Sequence, residues 1–159
     1  MKTLKVVLGT LFGSGLLPKA PGTWGSLFTL PFVYAAYLIH PTFGVIGLVL
    51  LASFISLWAT DRCVEKFGDD PGQFVIDETA GQAVVFLFTA FHYSTLTNIG
   101  LLLVGFILFR IFDIFKPLGI VRLEKLPGKF GILADDLAAG VYALICLELL
   151  KVLLGSILI

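Results

Sequence analysis

Apolar runs alternate with polar stretches along this chain. The polar stretches are residues 1–26, 61–79 and 110–136, and they hold ten of the eleven basic and ten of the eleven acidic residues. Between the first two, the apolar segments Leu27 to Ile39 and Phe43 to Trp58 are joined by a turn at His40 and Pro41. Between the last two, Ala83 to Phe91 and Ile99 to Phe109 are joined by the uncharged stretch His92 to Asn98. This pattern predicts two consecutive out-and-back hairpins, which return the chain to the side it left. All three polar stretches are then expected on one membrane face. The last apolar run, Leu137 to Ile159, is about one bilayer crossing long at roughly 20 residues per span. Glu148 and Lys151 interrupt it and could pair at i, i+3 or mark a contact between copies in a homo-oligomer.

Composition points the same way. Hydrophobic residues make up 58% of the chain and charged ones 14%, with a mean hydropathy of +1.01, against about 25% charged in a soluble domain. The expected fold is all-α: a small polytopic bundle of four to five membrane-embedded helices in a single domain, residues 1–159, preceded by a short interfacial segment. The apolar part of the N-terminal stretch is broken by Gly9, Gly13 and Gly15 and no convincing cleavage site follows, so that segment is expected to be retained. Lys2, Lys5, Lys19, Arg62, Lys66, Arg110, Lys116, Arg122, Lys125 and Lys129 share one side, and the opposite turns carry no Lys or Arg. The charged face is therefore expected in the cytoplasm, with the protein in the inner membrane. The central apolar segments are short for full spans, so their helices are expected to run on into the polar stretches.

Several chemistries are disfavoured. Net charge is zero and basic residues interleave with acidic ones, which removes the electrostatic footprint of a nucleic-acid binder. Cys63 and Cys146 match no metal or redox spacing and read as small buried hydrophobes. A thiol phosphatase would need Arg six positions after Cys63, where Asp69 stands. The histidines, His40 and His92, fall in the turns expected to face away from the charged side.

What remains there is a set of hard oxygen ligands: Asp77 and Glu78, Asp113, and Asp135 with Asp136. Carboxylates without nearby His or Cys suit Mg²⁺ or Mn²⁺, and converging acidic clusters without a cation would repel one another. Phosphate binders lie alongside. Arg110, Asp113 and Lys116 recur every third residue, on one broad side of a helix that Pro117 ends. Residues 13–26 carry four glycines, two prolines and the hydroxyls of Ser14, Thr23 and Ser26, and are expected to form a loop that could offer backbone N–H groups to an anion or fold back into the interface. Trp24 reads as an interfacial anchor.

Four segments carry a family resemblance: PGTWGS (21–26), DPGQFVIDETAG (70–81), FRIFDIFKP (109–117) and GILADDLAAG (131–140). Together, and in this order, they resemble the signatures of the phosphatidylglycerophosphatase A family. The resemblance implies a Mg²⁺-dependent membrane enzyme that removes the terminal phosphate from phosphatidylglycerophosphate, a phospholipid in the bilayer. In such an enzyme Asp77, Glu78, Asp113, Asp135 and Asp136 are expected to supply the metal shell, directly or through water. Glu78 and Asp136 become candidates for orienting water, Arg110 and Lys116 for stabilising the phosphoryl group, and Thr23 and Lys129 for head-group contacts. Gly119 and the Gly128–Lys129 pair depart from the expected pattern in loops, not in the chemistry. Two rivals differ in class. A CDP-alcohol transferase would need a DG-x2-AR pattern, which is absent. A small transporter or channel subunit with carboxylate ion sites would space polar groups through apolar segments that are here nearly clean.

Overall fold

The computed structural model describes residues 2–68, 71–91, 94–117, 119–124 and 126–158, with side chains through 154. Among the described residues it is all-helical, without a strand. The helices are α1 (Lys2–Gly9), α2 (Pro21–Ile39), α3 (Phe43–Phe67), α4 (Ile76–Val84), α5 (Thr95–Phe115), α6 (Ile120–Glu124) and α7 (Lys129–Leu158), with a 3-10 turn at Ser14–Leu16 between α1 and α2.

Three of these helices, α3, α5 and α7, are long and apolar enough to cross a membrane. Among the described residues, three candidate spans are thus present where four to five embedded helices are expected. The first expected hairpin is present as α2 and α3, turning at His40. The second is changed. Residues Ala83 to Phe91 are not a spanning arm, because α4 has 9 residues and covers only about 14 Å at 1.5 Å per residue. Beyond it the chain goes on in tight turns, with Phe86 N–H donating to the Ala83 carbonyl at 3.1 Å and Leu87 N–H to that of Val84 at 3.2 Å. Val85 and Phe86 are fully buried here. Irregular backbone at membrane depth is tolerated where protein covers it.

α4 is therefore the centre of the bundle. It packs chiefly against α7 and α3, then α2 and α5, and eight of its nine residues are buried. Small residues make this possible. A Cβ on Gly81 would run into the Asp136 carbonyl and the Phe109 ring, and one on Gly140 into the Gly81 carbonyl. The two helices touch backbone to backbone, as small residues allow in membrane bundles.

Helices do extend into the polar stretches. α3 carries Asp61, Arg62, Glu65 and Lys66 on its last turns, α5 carries Arg110 and Asp113, and α7 carries Asp135 and Asp136 in its second turn. α7 has 30 residues, about 45 Å, longer than a hydrocarbon core of about 30 Å. Near its other end, Lys151 Nζ pairs with Glu148 Oε1 at 2.8 Å. Two local expectations change. Pro21 to Ser26 is not loop but the opening of α2, with Pro at the first helical position, where its missing N–H costs nothing. Lys116 is not on the α5 helix but caps it in a left-handed conformation, φ 43°.

Candidate active site

At one end of the bundle, the start of α4, the end of α5, the Lys116 cap, α6 and the start of α7 enclose a cleft of about 240 Å³. Its lining brings together Asp77, Glu78, Asp113, Lys116, Asp135 and Asp136, from three sequence-distant stretches, with Glu124 beside them. These are all five predicted metal candidates and one predicted phosphate binder. Arg110 lies behind the cleft rather than in its lining. Thr23, half-buried on the first turn of α2, and Lys129, at the start of α7, do not line it. His40 is exposed at the α2–α3 turn, and His92 lies outside the described residues. Cys63 is buried, as expected of a small hydrophobe.

Two ion-pair groups organise the cleft. Arg110 Nη1 lies 2.6 Å from Glu78 Oε2 and 2.7 Å from Asp113 Oδ2. Ser26 joins them, donating from Oγ to Glu78 Oε2 at 2.9 Å. This link ties α2 to α4, and Gly22 makes it possible, since a Cβ there would strike the Glu78 carboxylate. In the second group, Lys116 Nζ lies 2.7 Å from Asp135 Oδ2 and 3.1 Å from Glu124 Oε1. Its left-handed cap turns the side chain from α5 towards α6 and α7. Sequence reading missed Glu124 as a partner altogether and noted Ser26 only as one hydroxyl among several.

Asp77 and Asp136 are 4% and 5% exposed, and among the described residues neither forms an ion pair with Lys or Arg. Asp77 Oδ1 accepts the Glu78 N–H at 2.9 Å. Burial, reinforced by the negative charge of Glu78, raises the Asp77 carboxyl well above the ordinary aspartate range. Burial likewise pushes Glu78 up to about 7; Arg110 pulls it back, and Asp113 adds repulsion. For Lys116, burial alone would lower the ammonium, but its bonds to Asp135 and Glu124 outweigh that and hold it above the ordinary lysine value.

Such a site has more negative charge than its own cations satisfy. Asp135 Oδ1 is buried without a partner, and the lining offers carboxylate oxygens with no imidazole or thiolate. In donor chemistry this fits a hard divalent cation. Among the described residues, however, no three acidic, His or Cys side chains stand in ligating arrangement. Glu78, Asp113 and Asp135 are instead turned onto Arg110 and Lys116. Asp77, Asp136 and the free oxygen of Asp135 are the groups best placed to hold a cation.

Comparison with known proteins fits this arrangement. A family model described as Phosphatidylglycerophosphatase A matches residues 7–151. A Bacteroides thetaiotaomicron protein provisionally named a phosphatidylinositol-3-phosphatase is 35% identical over 96% of this chain and 96% of its own length. Proteins named phosphatidylglycerophosphatase A are 36% identical in Haemophilus influenzae, over 87% of this chain and 83% of theirs, and 33% identical in Escherichia coli K12, over 85% and 76%. No solved structure matches. With nearly the whole chain matched, including every element that builds the cleft, this protein belongs to the phosphatidylglycerophosphatase A family.

Proposed function

We propose that the protein is a Mg²⁺-dependent lipid phosphatase of the inner membrane, hydrolysing phosphatidylglycerophosphate to phosphatidylglycerol and inorganic phosphate at a cytoplasm-facing cleft. The observation that carries this reading is the meeting of Asp77, Glu78, Asp113, Lys116, Asp135 and Asp136 in one cleft at the polar ends of apolar helices. The names of the Haemophilus and Escherichia relatives supply the substrate. The acyl chains would remain among the apolar helices while the head group enters the cleft.

Asp77, Asp135 and Asp136 would hold the metal, with Glu78 and Asp113 able to join if released from Arg110. Bound there, Mg²⁺ would act as a Lewis acid on a phosphoryl oxygen and make water more acidic. Lys116 faces the cleft and offsets the charge of the transferred phosphoryl group, as a preplaced cation does best in a water-poor site. Arg110 fixes the orientation of Glu78 and Asp113 from behind. Glu78 or Asp136 orients the attacking water and takes its proton. The water oxygen forms a new P–O bond as the ester P–O bond breaks, and the glycerol oxygen leaves as a hydroxyl by taking the proton that the carboxylate accepted from water.

The test is release of labelled phosphate from phosphatidylglycerophosphate by purified protein, without any nucleotide. A transferase or a transporter gives none. Thorough chelation with EDTA is expected to abolish release and added Mg²⁺ to restore it; release that survives chelation contradicts the metal mechanism. The name of the Bacteroides relative favours a second reading of the same chemistry, with an inositol head group. Phosphatidylinositol-3-phosphate in a parallel assay decides between them by relative kcat/KM.

A further inference from the structure

A second cavity, of about 320 Å³, opens between α1 and the end of α3. Three cations line it: Lys2 from α1, and Arg62 with Lys66 from α3. Arg62 and Lys66 stand at i, i+4 and so share a helix face, while no carboxylate is in the lining. The remaining surface is mostly apolar, including Val6, Val7 and Phe12. Arg62 gives Nη1 to the exposed Glu65 at 2.6 Å, and its Nε is enclosed without an acceptor. The lining thus combines positive charge that the exposed Glu65 meets only in part with apolar contact area. It sits at the polar end of the candidate span α3, and Gly9 of α1 lies against both Cys63 of α3 and Phe74 of the cleft lining.

We propose that this cavity is a second, non-catalytic site for the phosphodiester head group of an anionic phospholipid in the leaflet the cleft faces. A phosphate between Lys2, Arg62 and Lys66 would use the cations, and the first methylenes of its chains would cover Val6, Val7 and Phe12. A soluble anion would leave that apolar lining unused. Basic pockets at the ends of membrane helices recognise anionic head groups through this pairing of charge and depth. Occupancy would clamp α1 onto α3. α1 in turn holds the lip of the cleft: Val75 N–H donates to the Gly9 carbonyl at 3.0 Å, and Gly9 packs against Phe74, a lining residue of the cleft.

The test is lipid retention by the full chain, purified from phosphatidylcholine nanodiscs with and without phosphatidylserine, read by native mass spectrometry. Phosphatidylserine is a phosphodiester and carries no terminal phosphate to lose. The protein is expected to retain it selectively, and Arg62→Gln with Lys66→Gln to retain about tenfold less or lower still. A double variant with the same charge change outside the cavity, Lys19→Gln with Arg122→Gln, is expected to behave as the parent. Val7→Trp fills the cavity from an exposed position without altering charge, and is also expected to lose the lipid. Equal loss in the Lys19 and Arg122 variant means diffuse attraction and overturns the proposal. So does full retention in Val7→Trp, or displacement of the lipid by inorganic phosphate.

Discussion

Glu78→Gln and Asp136→Asn are each expected to lower turnover by on the order of 10²-fold or more, the loss seen when a principal electrostatic contributor to a reaction is removed. Both substitutions keep size and most hydrogen-bonding capacity, so a residue serving only as a packed polar group tolerates them. Glu78 and Asp136 differ in surroundings, which makes the pair informative. Glu78 is held by Arg110 and Ser26, whereas Asp136 is buried with no ion-pair partner among the described residues. Loss at both sites says that the charge facing the cleft matters, not the integrity of one ion pair. His40→Gln, at the exposed far turn, is expected to leave turnover unchanged. Full turnover in well-folded Glu78→Gln and Asp136→Asn, measured as phosphate release, would move the chemistry elsewhere.

Arg110→Gln has the largest expected effect on stability. The Arg110 side chain is 15% exposed, and the Glu78 and Asp113 side chains it joins are 16% and 14% exposed. Without it, two carboxylates face one another in a poorly solvated place. Removing one partner of a buried ion pair costs roughly 3–5 kcal/mol, mostly because the other charge is stranded. The thermal midpoint in detergent should therefore fall steeply. Adding Glu78→Gln to Arg110→Gln removes one stranded charge and should recover part of that stability while activity stays low. An unchanged midpoint in Arg110→Gln would mean that the pair contributes nothing to the fold.

Much of this arrangement was legible in the sequence because charge was segregated so sharply. The ends of α3 and α5 could be placed in the polar stretches, and the i, i+3 pairing of Arg110 with Asp113 follows from helical spacing. The short α4 could not be read. Ala83 to Phe91 is as apolar as a lipid-facing arm, and hydropathy does not distinguish burial among helices from burial in lipid; Gly81 and the wholly buried Gln82 were the available hints. The position of Lys116 was recoverable in part. A residue before proline is steered away from the right-handed helical region, so the third-residue periodicity ends at Asp113. Glu124 gave no signal, being a lone acid in a five-residue helix whose importance lies only in its reach to Lys116.

Everything at the cleft depends on residues 61–79, 110–117 and 120–136 facing one side of the bilayer. Single cysteines at Gly72, Pro127 and Leu96, in a background with Cys146→Ala and with Cys63 buried, report this directly when probed with a membrane-impermeant thiol reagent in vesicles of known orientation. Positions 72 and 127 are expected to react from the cytoplasmic side and position 96 from the opposite side. Reaction of positions 72 and 127 from opposite sides would contradict the converging site.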